Sequence, residues 1–209
     1  MKVILICYVF LSYTIKTGEF KKIMIEERII NGKDALITDY PYQLSLLFNG
    51  LHRCGAALIS NSAIVTAAHC VMHSTNCKYY SVRAGTTTVN SGGTVVGIKR
   101  IVSHSKFDKA SMDYDIAIAI LSRCLSFGPT VRSIKLVGAK EDLPVGTHVN
   151  ATGWGTTYPG NTVLSTHLKS VELLVIAQNV CKVCYGPDVI TSRMMCAGYL
   201  SGGKDTCQF

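Results

Sequence analysis

The run Gln43-Leu44-Ser45-Leu46-Leu47-Phe48-Asn49-Gly50-Leu51-His52-Arg53-Cys54-Gly55-Ala56-Ala57-Leu58-Ile59, continuing through Ala63-Ile64-Val65-Thr66-Ala67-Ala68-His69-Cys70, is where the fold becomes readable. Gln43 to Leu47 alternates with the period of a strand, and Ala56 to Ile59 and Ala63 to Ala67 are short apolar runs of strand length. Asn49-Gly50 sits between two of these candidates as a hairpin signal. Working outward, the same pattern recurs at Tyr79 to Ala84, Thr94 to Val102, Ile116 to Leu121, His148 to Thr152 and Leu168 to Val175. Ser91-Gly92-Gly93 and Pro159-Gly160-Asn161 mark loops between strands. Helical periodicity is scarce, with one short candidate at Ile176 to Tyr185. Many short strands at regular spacing predict an all-β sandwich or barrel. Ser122 to Pro144, which holds Pro129, Gly138 and Pro144 and few strand signals, is the candidate connection between two halves.

Composition agrees with a packed fold. The 209 residues are 48% hydrophobic and 16% charged, with 18 Gly and 5 Pro and a mean hydropathy of +0.27, which excludes a disordered or collagen-like chain. The longest apolar run, Val3 to Ile15, is 13 residues. A membrane-spanning helix needs roughly 18 or more, so a multi-pass membrane protein is excluded. Behind Lys2 and ahead of the polar stretch Lys16 to Lys22, this run has the form of a secretory signal. Cleavage is expected near Thr17 or Gly18; a buried N-terminal strand is the alternative. Secretion would remove Cys7 and leave eight cysteines, Cys54, Cys70, Cys77, Cys124, Cys181, Cys184, Cys196 and Cys207. In an oxidising compartment an even set reads first as disulfides. From Ile29 onward the net charge is +6, scattered along the chain, without the clustered stripe and interleaved aromatics of a nucleic-acid surface.

The chemistry-bearing candidates are His69, in Thr66-Ala67-Ala68-His69-Cys70, and Asp115, at the head of Asp115-Ile116-Ala117-Ile118-Ala119. Around them stand Arg28-Ile29-Ile30-Asn31-Gly32, Cys54-Gly55-Ala56-Ala57-Leu58-Ile59-Ser60, Gly153-Trp154-Gly155, Met195-Cys196-Ala197-Gly198-Tyr199 and Gly202-Gly203-Lys204-Asp205-Thr206-Cys207-Gln208. In this order the motifs resemble the trypsin-like branch of the chymotrypsin family of serine proteases, from Arg28 to Gln208.

The resemblance implies two antiparallel Greek-key β-barrels with the active site in the cleft between them. It implies His69 as general base, Asp115 as the carboxylate that fixes its tautomer, and Asp205 at the floor of the pocket for a substrate Arg or Lys. Gly202 and Gly203 would form the approach to that pocket, and Arg28 and Ile29 would flank the activation cleavage. Residues 1–18 would then be signal peptide, 19–28 activation propeptide, and 29–209 a protease domain incomplete at its C-terminus. By the same resemblance Cys54 pairs with Cys70 and Cys196 with Cys181, with Cys184 close enough to compete. Partners would be protein or peptide substrates with Arg or Lys before the scissile bond, together with protease inhibitors. No nucleic acid and no membrane is implied, and the enzyme would be a secreted monomer.

The family continues Cys-Gln with Gly-Asp-Ser-Gly-Gly, whereas here Cys207-Gln208 is followed by Phe209. The nucleophile, one oxyanion-hole glycine, the aspartate that receives the activated N-terminus and the partner of Cys207 all fall outside the sequence. Ser91 and Ser201 stand in ordinary turn segments without the preceding Gly-Asp and do not replace it. In an unrelated-fold protease, loss of the nucleophile costs about 10⁶ in turnover, or roughly 8 kcal/mol. The expectation is a trypsin-like endopeptidase by descent whose 209-residue polypeptide is inactive. Its second barrel is incomplete, with open edges that favour aggregation or partial folding. The alternatives are a truncated homologue acting by binding, or a nonfunctional product.

His69, Cys70, His73 and Cys77 have spacings a zinc site could use, and Cys181-x-x-Cys184 resembles a metal or redox pair, but a disulfide at Cys70 is the better expectation in a secreted chain. No Asp or Glu lies between His73 and Gly93, where a calcium loop would need them, so no cofactor is expected. Asn150-Ala151-Thr152 is a glycosylation sequon whose place inside a strand predicts a partly buried, unmodified Asn150.

Overall fold

A computed structural model describes residues 3–4, 28–30, 32–138, 141–156, 163–200 and 205–207, the first two and the last of these segments by backbone alone. In chain order the strands are β1 Val3–Ile4, β2 Arg28–Ile30, β3 Lys33–Asp34, β4 Gln43–Phe48, β5 Leu51–Leu58, β6 Ala63–Thr66, β7 Tyr80–Ala84, β8 Thr94–Ser103, β9 Ala117–Leu121, β10 His148–Gly153 and β11 Lys169–Ile176. The helix α1 (Gln178–Tyr185), β12 (Met194–Gly198) and β13 (Asp205–Cys207) follow. None of the helices described is long and apolar enough to cross a membrane.

Six strands close into an antiparallel barrel in the order β4-β5-β6-β9-β8-β7. The β4–β5 hairpin turns at Asn49 and Gly50 with φ of 52° and 80°, the two left-handed positions that a tight two-residue turn demands and that Asn and Gly tolerate. After three hairpin-connected strands the chain crosses through the segment holding His69, and β7 lies beside β4, which is a Greek key. Side chains alternate as the sequence predicts. Tyr80, Val82 and Ala84 of β7 and Ala117, Ala119 and Leu121 of β9 point into the barrel with Leu44, Leu46, Leu58 and Ile64.

β4 departs from simple alternation, because Gln43 to Leu47 are all buried. Its outer face is covered: the Thr152 hydroxyl donates to Gln43 Oε1 at 2.6 Å from the second half of the molecule. That half holds an open sheet ordered β1-β12-β11-β10, with β3 also pairing β11, and a two-stranded ladder of β13 with β2. All of these ladders are antiparallel except β1 with β12, where Val3 and Ile4 run parallel to Met194 and Met195. The halves meet around Trp154, packed with Ala35, Ile37, Val89 and Leu168. Its indole Nε1–H donates to Thr87 O at 2.8 Å, and the Leu168 amide donates to the same carbonyl at 2.8 Å. Among its described residues Ser122 to Pro144 holds no strand beyond an isolated bridge of Gly128 with Val131, and it links barrel to sheet, as its composition predicts.

Both expected disulfides are present, Cys54–Cys70 and Cys181–Cys196. Cys184 does not compete for Cys196; it is a free, exposed thiol on α1, like Cys124 after β9. The strand β12 was missed by periodicity, since Met194 and Cys196 to Gly198 are buried on both faces and show no alternation. Asn150 requires a correction: it is exposed, not partly buried. β10 is an edge strand of the sheet among the described residues, and the cover that buries Thr152 does not extend to Asn150. The expected leader boundary near Gly18, the loop Pro159-Gly160-Asn161 and the pocket glycines Gly202 and Gly203 lie outside the described residues.

Candidate active site

The placement of His69 and Asp115 follows from one rung of the barrel. β6 and β9 are antiparallel, and their register ends at Thr66 opposite Ala117. The chain leaving β6 and the chain entering β9 therefore emerge side by side, with His69 three residues past one end and Asp115 two residues before the other. Ala67 and Ala68 leave room for the turn, and Ala68 is fully covered. A 3-10 turn over His69–Val71 then orients the imidazole. Its neighbour Cys70 is buried and bonded to Cys54 of β5, which pins the turn to the barrel wall.

The His69 backbone N–H donates to Asp115 Oδ1 at 2.8 Å, while its ring Nδ1 meets Asp115 Oδ2 at 2.6 Å. One residue thus holds both oxygens of a carboxylate that is only 4% exposed. A buried carboxylate without such partners would cost several kcal/mol. A carboxylate can only accept, so in the neutral imidazole the proton sits on Nδ1 and the lone pair on Nε2. Nε2 lies against the disulfide, 3.4 Å from Cys70 Sγ and 4.0 Å from Cys54 Sγ. This is a proton acceptor of fixed tautomer and orientation, the arrangement that general-base chemistry requires.

A wall beside Asp115 was not legible in the sequence. Arg193, just before β12, grips Asp113 through Nε and Nη2 at 2.5 to 3.1 Å, and the Thr191 hydroxyl donates to the same carboxylate at 2.8 Å. The Arg193 guanidinium also lies 4.5 Å over the Tyr114 ring, whose other contacts are a stacked His104 at 4.5 Å and Lys106. Tyr114 has a φ of 55°, and its carbonyl accepts from the Ile116 amide at 2.8 Å, folding the backbone tightly across Asp115. The paired guanidinium holds the Asp113 carboxyl down at about 2. No short-range motif marks this cluster, because its partners are 80 positions apart.

The other predicted residues separate into two groups. The backbone of Asp205 to Cys207 pairs with Arg28 to Ile30, Asp205 opposite Ile30 and Cys207 opposite Arg28, so the expected activation point lies beside the strand that carries Asp205. The side chains of Arg28, Ile29, Asp205 and Cys207, and residues 208–209, are outside the described residues. A metal site at these cysteines fails on bonding. Among the described residues, the His/Cys/Asp/Glu group tight enough for an ion is Cys54, His69 and Cys70, but both sulfurs are spent in a disulfide. Cys77 donates its thiol to Lys99 O at 3.3 Å, and Cys181 of the Cys-x-x-Cys pair is bonded to Cys196. His73 is an exposed residue close enough to His69 to feel its charge, its imidazole pushed below the ordinary value by partial desolvation and then by Arg53 and Lys109.

The sequence model described as Trypsin matches residues 29–208. The chain belongs to the trypsin family. As a trypsin-like serine protease homologue of the chymotrypsin family it is 38% identical over 206 residues to the vitellin-degrading protease of Bombyx mori, covering 98% of this chain and 76% of that one. It is 36% identical over 181 residues to a trypsin of Phaedon cochleariae, with 86% and 70% covered. With the trypsin Blo t 3 of Blomia tropicalis the identity is 37% over 187 residues, covering 88% and 70%. Among solved structures, the scabies mite inactivated protease paralogue S-D1 superposes with a TM-score of 0.78 at 24% identity, over 85% of this chain and 79% of that one. That likeness establishes the fold. The trypsin fold's two-barrel arrangement accounts for the closed barrel and the second sheet.

Proposed function

We propose that this trypsin-family chain serves a secreted serine endopeptidase that cleaves peptide bonds after Arg or Lys, and that the polypeptide ending at Phe209 is not itself catalytic. The observation that carries the reading is the two-point hold of His69 on the buried Asp115 carboxylate. In this reading Asp115 keeps the proton on Nδ1, and Nε2 takes the proton of a serine hydroxyl as that oxygen attacks the scissile carbonyl. The imidazolium formed in that step is stabilised by Asp115, and the proton then passes to the leaving amine. Imidazole suits the task because its ordinary pKa, about 6.5, lets it both accept and return a proton at neutral pH. Asp205 would pair with the substrate cation, and cleavage between Arg28 and Ile29 would free the new N-terminus.

The serine itself belongs two positions past Phe209, and the backbone donors for the oxyanion belong with it. The test is to read the messenger RNA through the codon for Gln208 and assay the encoded protein. A continuation encoding Gly-Asp-Ser-Gly-Gly should yield an enzyme that hydrolyses Arg and Lys peptide esters. Asp115→Asn should then lower its turnover about 10⁴-fold, the loss seen on the same change in the family's prototype. The polypeptide ending at Phe209 should release no product from these substrates. Turnover by that polypeptide would overturn its proposed inactivity, and an abundant transcript with a stop directly after Phe209 would replace the enzyme reading with a binding role.

A further inference from the structure

We propose that Asn150 carries an N-linked oligosaccharide, a reading that rests on passage of the chain through the secretory pathway. Asn150-Ala151-Thr152 is the one Asn-x-Ser/Thr triplet with x other than Pro in the 209 residues. The objection to it was burial, and the structure removes that objection. Asn150 is exposed on β10, an edge strand among the described residues, and its cross-strand neighbour Glu172 is exposed as well. No side chain among the described residues hydrogen-bonds its amide; the adjacent ion pair joins His148 to Glu172. Along a strand, residues two apart share a face about 7 Å apart. That spacing separates the two functions of the triplet: Thr152 is buried against Gln43 where the barrel covers the face, and Asn150 is clear of it.

The donor is a lipid-diphosphate-linked oligosaccharide in the lumen where signal-bearing chains fold. Asn150 Nδ2 bonds to the anomeric carbon, the carbon–oxygen bond to phosphate breaks, the lipid diphosphate leaves with that electron pair, and one amide proton is lost to base. Transfer precedes folding, while the Thr152 hydroxyl is still free; afterwards Thr152 turns inward and the glycan remains outside. A bulky polar group there also screens an open sheet edge, the feature by which sheets aggregate.

The test is translation of the full 209-residue chain with endoplasmic-reticulum microsomes, once with residues 1–18 and once with these replaced by a proven signal sequence. The expected result is one slower band, collapsed by peptide-N-glycosidase, absent in Asn150→Gln and Thr152→Ala and retained in Thr152→Ser. A band only with the replacement leader supports the site and removes the secretory reading of residues 1–18. An unshifted, protease-protected chain behind the proven leader overturns the proposal. So does a glycosylated chain that fails to form Cys54–Cys70 while Asn150→Gln forms it, because a glycan that blocks folding means a buried site.

Discussion

At the scale of single residues, His52 shows how burial alone sets a titration. Its ring packs edge-on to Trp154 at 5.8 Å and hydrogen-bonds Ser45 at 2.7 Å, and burial pushes the imidazole down to about 4. In the unfolded chain it returns to its ordinary value of about 6.5. Between those pH values the unfolded state binds a proton that the folded state refuses. Stability is therefore whole above pH 6.5 and falls as pH drops toward 4, by up to about 3 kcal/mol. Urea denaturation of wild type and His52→Gln across this window should show a steeper decline for wild type; parallel declines would refute the assignment. The second residue-scale case is the Asp113–Arg193 pair, whose guanidinium is 37% exposed. Solvent screening limits its worth, and a double-mutant cycle of Asp113→Asn and Arg193→Gln should give a small favourable coupling that shrinks as salt is added. Below pH 4 that coupling should fade, because the depressed carboxyl contributes above its unfolded pKa and is lost as it protonates near 2.

Elements were legible where one face is buried and the other is not. β7 and β9 alternate and were readable to within a residue; β12, buried at every position but the half-buried Met195, has no period to read. The turn chemistry carried comparable information. Gly93, which opens the way into β8, has a φ of 63°, and a Cβ there would lie 2.1 Å from Ala84 O. Both the left-handed backbone and the contact exclude a larger residue. Gly93→Ala should destabilise the chain by roughly 2–3 kcal/mol, measured by thermal unfolding. Gly50 shares the positive φ but meets nothing within 4 Å, so Gly50→Ala should cost only about 1 kcal/mol, the backbone strain by itself.

For the whole molecule the question is how firmly the halves hold. The barrel closes on itself, whereas among the described residues the second sheet stays open, with β10 at one edge. Native-state hydrogen exchange should protect the amides of β4, β5 and β7 most strongly and those of β10 and β12 less. Equal protection throughout would mean that the two halves unfold as one unit. Trp154 is the single tryptophan and reports on the seam directly. Trp154→Phe removes the donor to Thr87 O and part of the packed volume. That change should cost about 1–3 kcal/mol by urea unfolding, with the larger loss in the second half.

Local sequence determined the strands of the barrel, the Asn49-Gly50 turn and, through motif order, the family and the identities of His69 and Asp115. These are properties of period, turn preference and residue type, which neighbours along the chain are enough to express. Tertiary structure alone decided the rest. It buried both faces of β4, exposed Asn150 two residues from a buried Thr152, joined Asp113 to Arg193, and brought both oxygens of Asp115 to His69. Each of these depends on which surfaces come to rest against each other after distant segments have met, and no stretch of sequence encodes that contact by itself.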